Sequence, residues 1–167
     1  MTRLDLLRHA KSSWDEPGLA DRERPLAPRG RRAAGRVAEH LRAEGVRPEV
    51  VLCSTAVRAR QTLEIVLPAL GEPEVLVEDG LYGGDAEDVL DRLRSLSDAS
   101  ARAMVIGHNP TLQDLALDLA ASGRDLERLR EKLPTGALVT LAFEGPWRGL
   151  GAGRATLESL VAPRDLR

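Results

Sequence analysis

Four short apolar runs, at residues 4–7, 50–53, 75–77 and 104–106, are separated by longer amphipathic stretches. They are rich in Val, Leu and Ile and are continuous rather than alternating, which suits strands covered on both faces. Between them, residues 28–44 place Ala33, Val37 and Leu41 four apart on one helical face, with Gly45 as a stop. Residues 56–70 repeat the pattern through Ala59, Leu63, Val66 and Leu70, and Pro73 follows. Residues 85–96 open with an approximate capping box, Asp85 and Asp88, and turn Val89, Leu90 and Leu93 inward. Asn109 as N-cap and Pro110 as first helical residue begin a helix expected to run through Ala121, with Gly123 closing it. The period then changes. Residues 137–143 alternate, residues 155–160 do so less cleanly, and a Gly-rich connection joins them. The order βαβαβαβαββ predicts an α/β protein with three α/β/α layers, a mostly parallel sheet and an antiparallel edge strand. One domain over residues 1–167 accommodates it.

Aromatic residues are only 2% of the chain, so Leu, Val, Ala and Ile must build the core. The same scarcity removes stacking platforms for nucleic-acid bases, and a net charge of -2 supplies no global field for phosphate backbones. Nucleic acid is therefore not expected as a partner. Cys53 is the sole cysteine, which excludes an internal disulfide and a multi-cysteine zinc site; within its apolar run it reads as a buried structural thiol. No apolar run approaches the ~20 residues of a membrane span, and Arg3 and Asp5 break the N-terminus before any signal segment. A cytoplasmic setting is the expectation, with no membrane partner.

Chemistry concentrates where the strands end. Arg8 and His9 follow the first run and His108 follows the fourth, while Arg58 lies in the first turn of the helix after the second. Ligands of open parallel sheets bind beyond the carboxyl ends of the strands. Two guanidiniums, two imidazoles and free helix amides at that edge describe a pocket for a dianion, because arginine's planar fork donates to two phosphate oxygens at once. A neutral imidazole there is a nucleophile toward phosphorus, and a protonated one can join the arginines in stabilising the equatorial oxygens. No metal is then required, and no cofactor is expected. The residues leave open which histidine is neutral. For the proton a leaving group needs, Asp79 is the first choice, with Glu78 and Asp85 as rivals.

Each of these residues has a structural alternative. A lone histidine can simply close a strand, and Arg58 could pair with Glu64 or Asp88 at the surface. The combination with Arg8 decides for function. His40 stands in a charged helical stretch. Arg29, Arg31, Arg32 and Arg36 read as a solvated helix face, with docking of an acidic partner as the alternative. Trp14 and Trp147 read as loop packing, with Trp14 near enough to His9 to line the mouth.

Leu6-Leu7-Arg8-His9-Ala10-Lys11-Ser12-Ser13-Trp14-Asp15 resembles the opening Arg-His-Gly-Glu-Ser block of the histidine phosphatase superfamily, in its phosphoglycerate-mutase-like branch. The stretches Pro25–Ala33, Ser54–Thr62 and Val105–His108 resemble the elements that follow in that family. The short chain and the Gly107-His108-Asn109-Pro110 form are most similar to SixA-type phosphohistidine phosphatases. The resemblance implies a phosphoglycerate-mutase-like fold and His9 as nucleophile. It also implies phosphate held by Arg8, Arg58 and His108, with Ser12 and Asn109 as further binding residues. It implies hydrolysis of a phosphorylated protein, or alternatively of a small phosphate ester; a phosphate-binding module without catalysis is the non-enzymatic alternative. The chain departs from the pattern at Ala10, whose Cβ is expected to narrow the approach to phosphate. Lys11 replaces an acid, and Asp79 is one methylene shorter than the family's Glu.

Overall fold

Strand β1 (Thr2–Arg8) shows why the central runs turn leucines to both faces, with Asp5 as the one buried charge among them. Leu4 and Leu6 enter one core and Leu7 the other, because successive side chains of a strand point to opposite faces. Both faces of the sheet are covered, and each leucine removed from water contributes about 2 kcal/mol. The computed structural model describes residues 1–167.

Six further strands complete the sheet: β2 (Val50–Ser54), β3 (Glu74–Glu78), β4 (Arg102–Gly107), β5 (Ala120–Gly123), β6 (Leu138–Phe143) and β7 (Ala155–Val161). Their order is β3-β2-β4-β1-β6-β7-β5. Helices α1 (Pro28–Ala43) and α2 (Val57–Val66) pack on one face, through Val37, Leu41, Ala59 and Leu63. Helices α4 (Ala86–Arg94), α5 (Thr111–Leu119) and α6 (Leu126–Glu131) cover the other, and the short α3 (Gly80–Gly83) lies between β3 and α4. The three-layer, mostly parallel arrangement is the expected one. Its capping box is also present: Asp85 and Asp88 exchange side-chain-to-backbone hydrogen bonds at 3.0 Å.

The antiparallel strand differs from expectation in place. β6 runs antiparallel to both β1 and β7 inside the sheet, and the edges are β3 and β5. Strand β5 explains this. Residues 120–123, expected to finish a helix, instead pair in parallel with β7 and close that side. Gly123 permits the pairing, since a Cβ there would meet the Leu157 carbonyl oxygen at 2.2 Å. Helix α5 also starts later than expected, at Thr111, after a cis Asn109–Pro110 bond.

The few aromatics divide sharply. Phe143 and Trp147 meet edge to face at 5.3 Å inside the larger core, with the Trp147 indole donating to the Ser100 carbonyl at 2.7 Å. Trp14 is exposed under the Arg24 guanidinium. Cys53 is fully buried, and burial pushes its thiol up to about 12. No helix is long and apolar enough to cross a membrane.

Candidate active site

Register brings the two histidines together. β1 and β4 are parallel neighbours with Arg8 opposite Gly107, so His9 and His108 leave the sheet side by side. The ladder extends one residue further: the His9 amide donates to the Gly107 carbonyl at 3.0 Å. From the other side, the Gly136 amide donates to the carbonyls of Arg8 and His9, at 3.0 and 2.9 Å. Its φ of +74° is a conformation that favours glycine. The imidazole centroids are 5.2 Å apart. β2 ends alongside, and Ser54 Oγ lies 2.7 Å from His108 Nε2. Arg58, buried in the first turn of α2, points its Nε at His9 Nε2 from 3.3 Å. The pocket has a volume of about 530 Å³.

The tautomer of His9 follows from its partners. Nδ1 lies 2.7 Å from the Ala10 carbonyl oxygen, an acceptor only, so Nδ1 carries the proton. Nε2 then holds a lone pair, which accepts the Arg58 Nε–H. Burial, with His108 and the arginines nearby, lowers His9 to about 3; burial and Arg58 lower His108 to about 4. Both imidazoles are neutral at pH 7 in this state. Arg8 donates from Nη1 to the Leu133 carbonyl at 2.9 Å. Its Nε is the one buried side-chain nitrogen or oxygen with no hydrogen-bond partner. A buried N–H with no acceptor is costly, and an anion in the pocket would satisfy it.

The structure thus brings Arg8, His9, Arg58 and His108 around one cavity. Ser12 also lines it, but its hydroxyl already accepts from Arg24 Nη1 at 2.9 Å. Asn109 borders the pocket too, yet its side chain serves the backbone around α5. Nδ2 donates to the Leu133 carbonyl and to Gln113, while Oδ1 accepts the Gln113 amide. The Cβ of Ala10 turns away from the pocket and packs with Leu26 and Ala34, so it does not narrow the approach to an anion.

The three carboxylates expected as proton donors are occupied elsewhere. Asp79 is not part of the lining; it is exposed, accepts from the Thr55 hydroxyl at 2.7 Å and pairs with Arg22 at 3.2 Å. Glu78 makes a two-pronged ion pair with Arg92, at 2.8 and 2.9 Å. Asp85 caps α4. The carboxylate that does line the pocket is Asp21, in the loop between β1 and α1. It accepts from Arg58 Nη2 at 3.0 Å and from the Tyr82 hydroxyl at 2.8 Å. These bonds, Tyr82's foremost, hold it at about 2. Asp21, Tyr82 and Ser54 are absent from the residues that spacing singled out. Asp21 stands in an aperiodic charged stretch whose only signal is that it follows the first strand.

A sequence model of the histidine phosphatase superfamily (branch 1) matches residues 4–88. An uncharacterized protein of Mycobacterium tuberculosis is 41% identical over 162 residues, 95% of this chain and 100% of the relative. Among solved structures, one assigned as the phosphohistidine phosphatase SixA of Nakamurella multipartitia superposes with a TM-score of 0.83 at 29% identity. That match covers 97% of this chain and 96% of the other. The protein histidine phosphatase SixA complexed with tungstate gives a TM-score of 0.80 at 26% identity, covering 99% and 100% of the two chains.

Proposed function

The chain belongs to the histidine phosphatase superfamily, branch 1, and is a phosphatase; from that membership we propose that it hydrolyses phosphohistidine on a protein substrate, with His9 as nucleophile. The observation that carries this reading is the state of the pocket's polar groups. His9 Nε2 carries its lone pair at the cavity, held by the Arg58 Nε–H until that donor turns to the phosphoryl oxygens, and no lining carboxyl is free to act as an acid. Asp21 is ionised and engaged, and Asp79 stands outside the lining. A phosphate ester of an alcohol needs a proton on its leaving oxygen. An imidazole leaves phosphorus with far less help, which fits a lining that holds no free carboxylic acid.

In the proposed reaction, Nε2 of His9 attacks phosphorus in line with the substrate's P–N bond. That bond breaks, and its electron pair departs with the substrate imidazole, which takes a proton from solvent. Water then attacks the phosphorylated His9. The second P–N bond breaks, inorganic phosphate leaves, and His9 recovers its lone pair. In both steps charge on the equatorial oxygens is met by Arg8 Nε, the Arg58 fork and His108. His108 gains its proton as the dianion binds, because a neighbouring negative charge raises an imidazole's pKa. Preorganised donors of this kind carry most of the acceleration in phosphoryl transfer.

The cavity volume of about 530 Å³ also suits a small phosphate ester, which makes that the second reading. The deciding experiment compares rates on a phosphohistidine peptide, an aryl phosphate and a panel of sugar phosphates. Preference for the peptide supports the proposal, and preference for a sugar phosphate replaces it.

A further inference from the structure

A second cavity, of about 470 Å³, adjoins the catalytic pocket through Lys11 and Thr135, which line both. Its walls are basic. Arg29, Arg32 and Arg36 stand on one face of α1, and Lys132 and Arg164 approach from the segments after α6 and β7. None of these five, nor Lys11, has a carboxylate partner. The one acid in the lining is Glu131, and Arg128 is already paired with Asp165 at 2.6 Å. In a chain of net charge -2, so many unpaired cations around one groove form a local anion-attracting field.

The groove is fastened to the catalytic pocket by backbone. The Ala27 amide donates to the Lys11 carbonyl oxygen at 2.9 Å. Gly30 lets α1 press against the same atom, since a Cβ at that position would meet it at 2.1 Å. The start of α1 is therefore locked to the loop that leaves His9, and the arginines begin where the catalytic pocket ends. From Arg29 to Arg36 they extend about 10 Å along the helix.

We propose that this groove docks an acidic segment of the phosphorylated protein while its phosphohistidine enters the catalytic pocket, an inference that rests on the substrate reading above. Charge complementarity selects the occupant. The cations are mostly exposed and spread over two walls, more than one small phosphate group could engage at once. A carboxylate-rich chain can place successive side chains against successive arginines. Such a surface accelerates encounter and holds the substrate without taking part in chemistry.

The test uses a fluorescein-labelled glutamate-rich peptide carrying no phosphate. Binding is measured to the wild type, to a combined R29E/R32E/R36E variant and to R29Q/R32Q/R36Q, which keeps the helix free of new charge. Retained circular dichroism and unchanged aryl phosphate hydrolysis show that fold and pocket are intact. The wild type should bind the peptide in a salt-sensitive manner, and charge reversal should weaken binding at least about tenfold, with the glutamine variant between. KM for an acid-flanked phosphohistidine peptide should rise in parallel, at constant kcat, while a neutral-flanked peptide is unaffected. Equal binding by all three proteins overturns the proposal. So does capture of inorganic tripolyphosphate, but not of the peptide, by the wild type. If the wild type turns over aryl phosphate but no phosphohistidine peptide, the substrate reading fails, and the binding measurement still decides the groove.

Discussion

Asp21 grips Arg58 twice, its backbone carbonyl accepting from Nη1 at 2.8 Å and its carboxylate from Nη2 at 3.0 Å. With Nε turned to His9, each nitrogen of this guanidinium already holds one partner before substrate arrives. A phosphoryl group must share or displace the Asp21 carboxylate, which is itself an anion facing the same cation.

Asp21→Ala should therefore bind phosphate more tightly. The carboxylate is half-exposed, so the competing pair is worth a fraction of a kcal/mol to about 1 kcal/mol. Inhibition by inorganic phosphate should strengthen about threefold, read as a lower Ki against an aryl phosphate. An unchanged or weaker Ki would show that Asp21 aligns Arg58 for the anion instead of competing with it.

The proposed nucleophile His9 and the neighbouring Arg58 should differ in what their removal abolishes. His9→Ala should lower kcat by at least about a thousandfold with far-ultraviolet dichroism unchanged. It should also abolish an acid-labile, alkali-stable phosphoenzyme trapped by rapid quench. Arg58→Ala should still form that intermediate slowly, losing roughly 2 to 4 kcal/mol of transition-state stabilisation in kcat/KM. A folded His9→Ala protein of near-normal activity would falsify the assignment.

Asp79→Ala should leave the phosphohistidine rate within about twofold of wild type, as a surface substitution away from the reacting atoms. Its carboxylate is tied to Thr55 and Arg22 outside the pocket lining. A loss of a hundredfold or more, in about the range general acid–base catalysis contributes, would mean that the loop moves and Asp79 enters the site.

The quartet Arg8, His9, Arg58 and His108 was legible because strand ends are legible. Apolar runs mark parallel strands, and their carboxyl ends share one edge whatever the connections between them. Asp21, Tyr82 and the partners of Asp79 were not legible, because loop side chains meet through tertiary contacts that leave no period in the sequence. The same holds for β5: residues 120–123 continue an apolar helical pattern, and pairing with β7 overrides it. Arg29, Arg32 and Arg36 show the opposite limit. Their helical face was plain, but its place beside His9 depends on Gly30 touching the Lys11 carbonyl.

Acid should weaken the fold through the pocket histidines. Folded, they titrate at about 3 and about 4 because burial, with the nearby cations, opposes their charging. Unfolded, they take up protons below about 6.5. The unfolded chain thus binds more protons between these values, so stability is complete above 6.5 and declines as pH falls toward 4. Urea midpoints measured from pH 7 to pH 4 should show this slope, and a His9→Ala, His108→Ala protein should lose much of it. An identical slope in that variant would assign acid sensitivity to other groups.

Asp5 ties the sheet together beneath the site. It is fully buried, accepts from Arg102 Nε and Nη2 at 2.7 and 2.9 Å, and accepts from the Thr140 hydroxyl at 2.8 Å. Thr140 stands opposite it on β6 and Arg102 lies on β4, so one carboxylate joins β1 to both neighbours. Removing it by Asp5→Ala strands a part-buried guanidinium and a buried hydroxyl, which should cost about 3 kcal/mol. The pair Arg3–Glu158, near the same strand but solvent-exposed, should cost under about 1 kcal/mol when broken by Glu158→Ala. Urea unfolding at pH 7 measures both. A loss at Asp5 as small as that at Glu158 would show that Arg102 can swing to water, and that β1 is held in place by its leucines and its hydrogen-bonded neighbours alone.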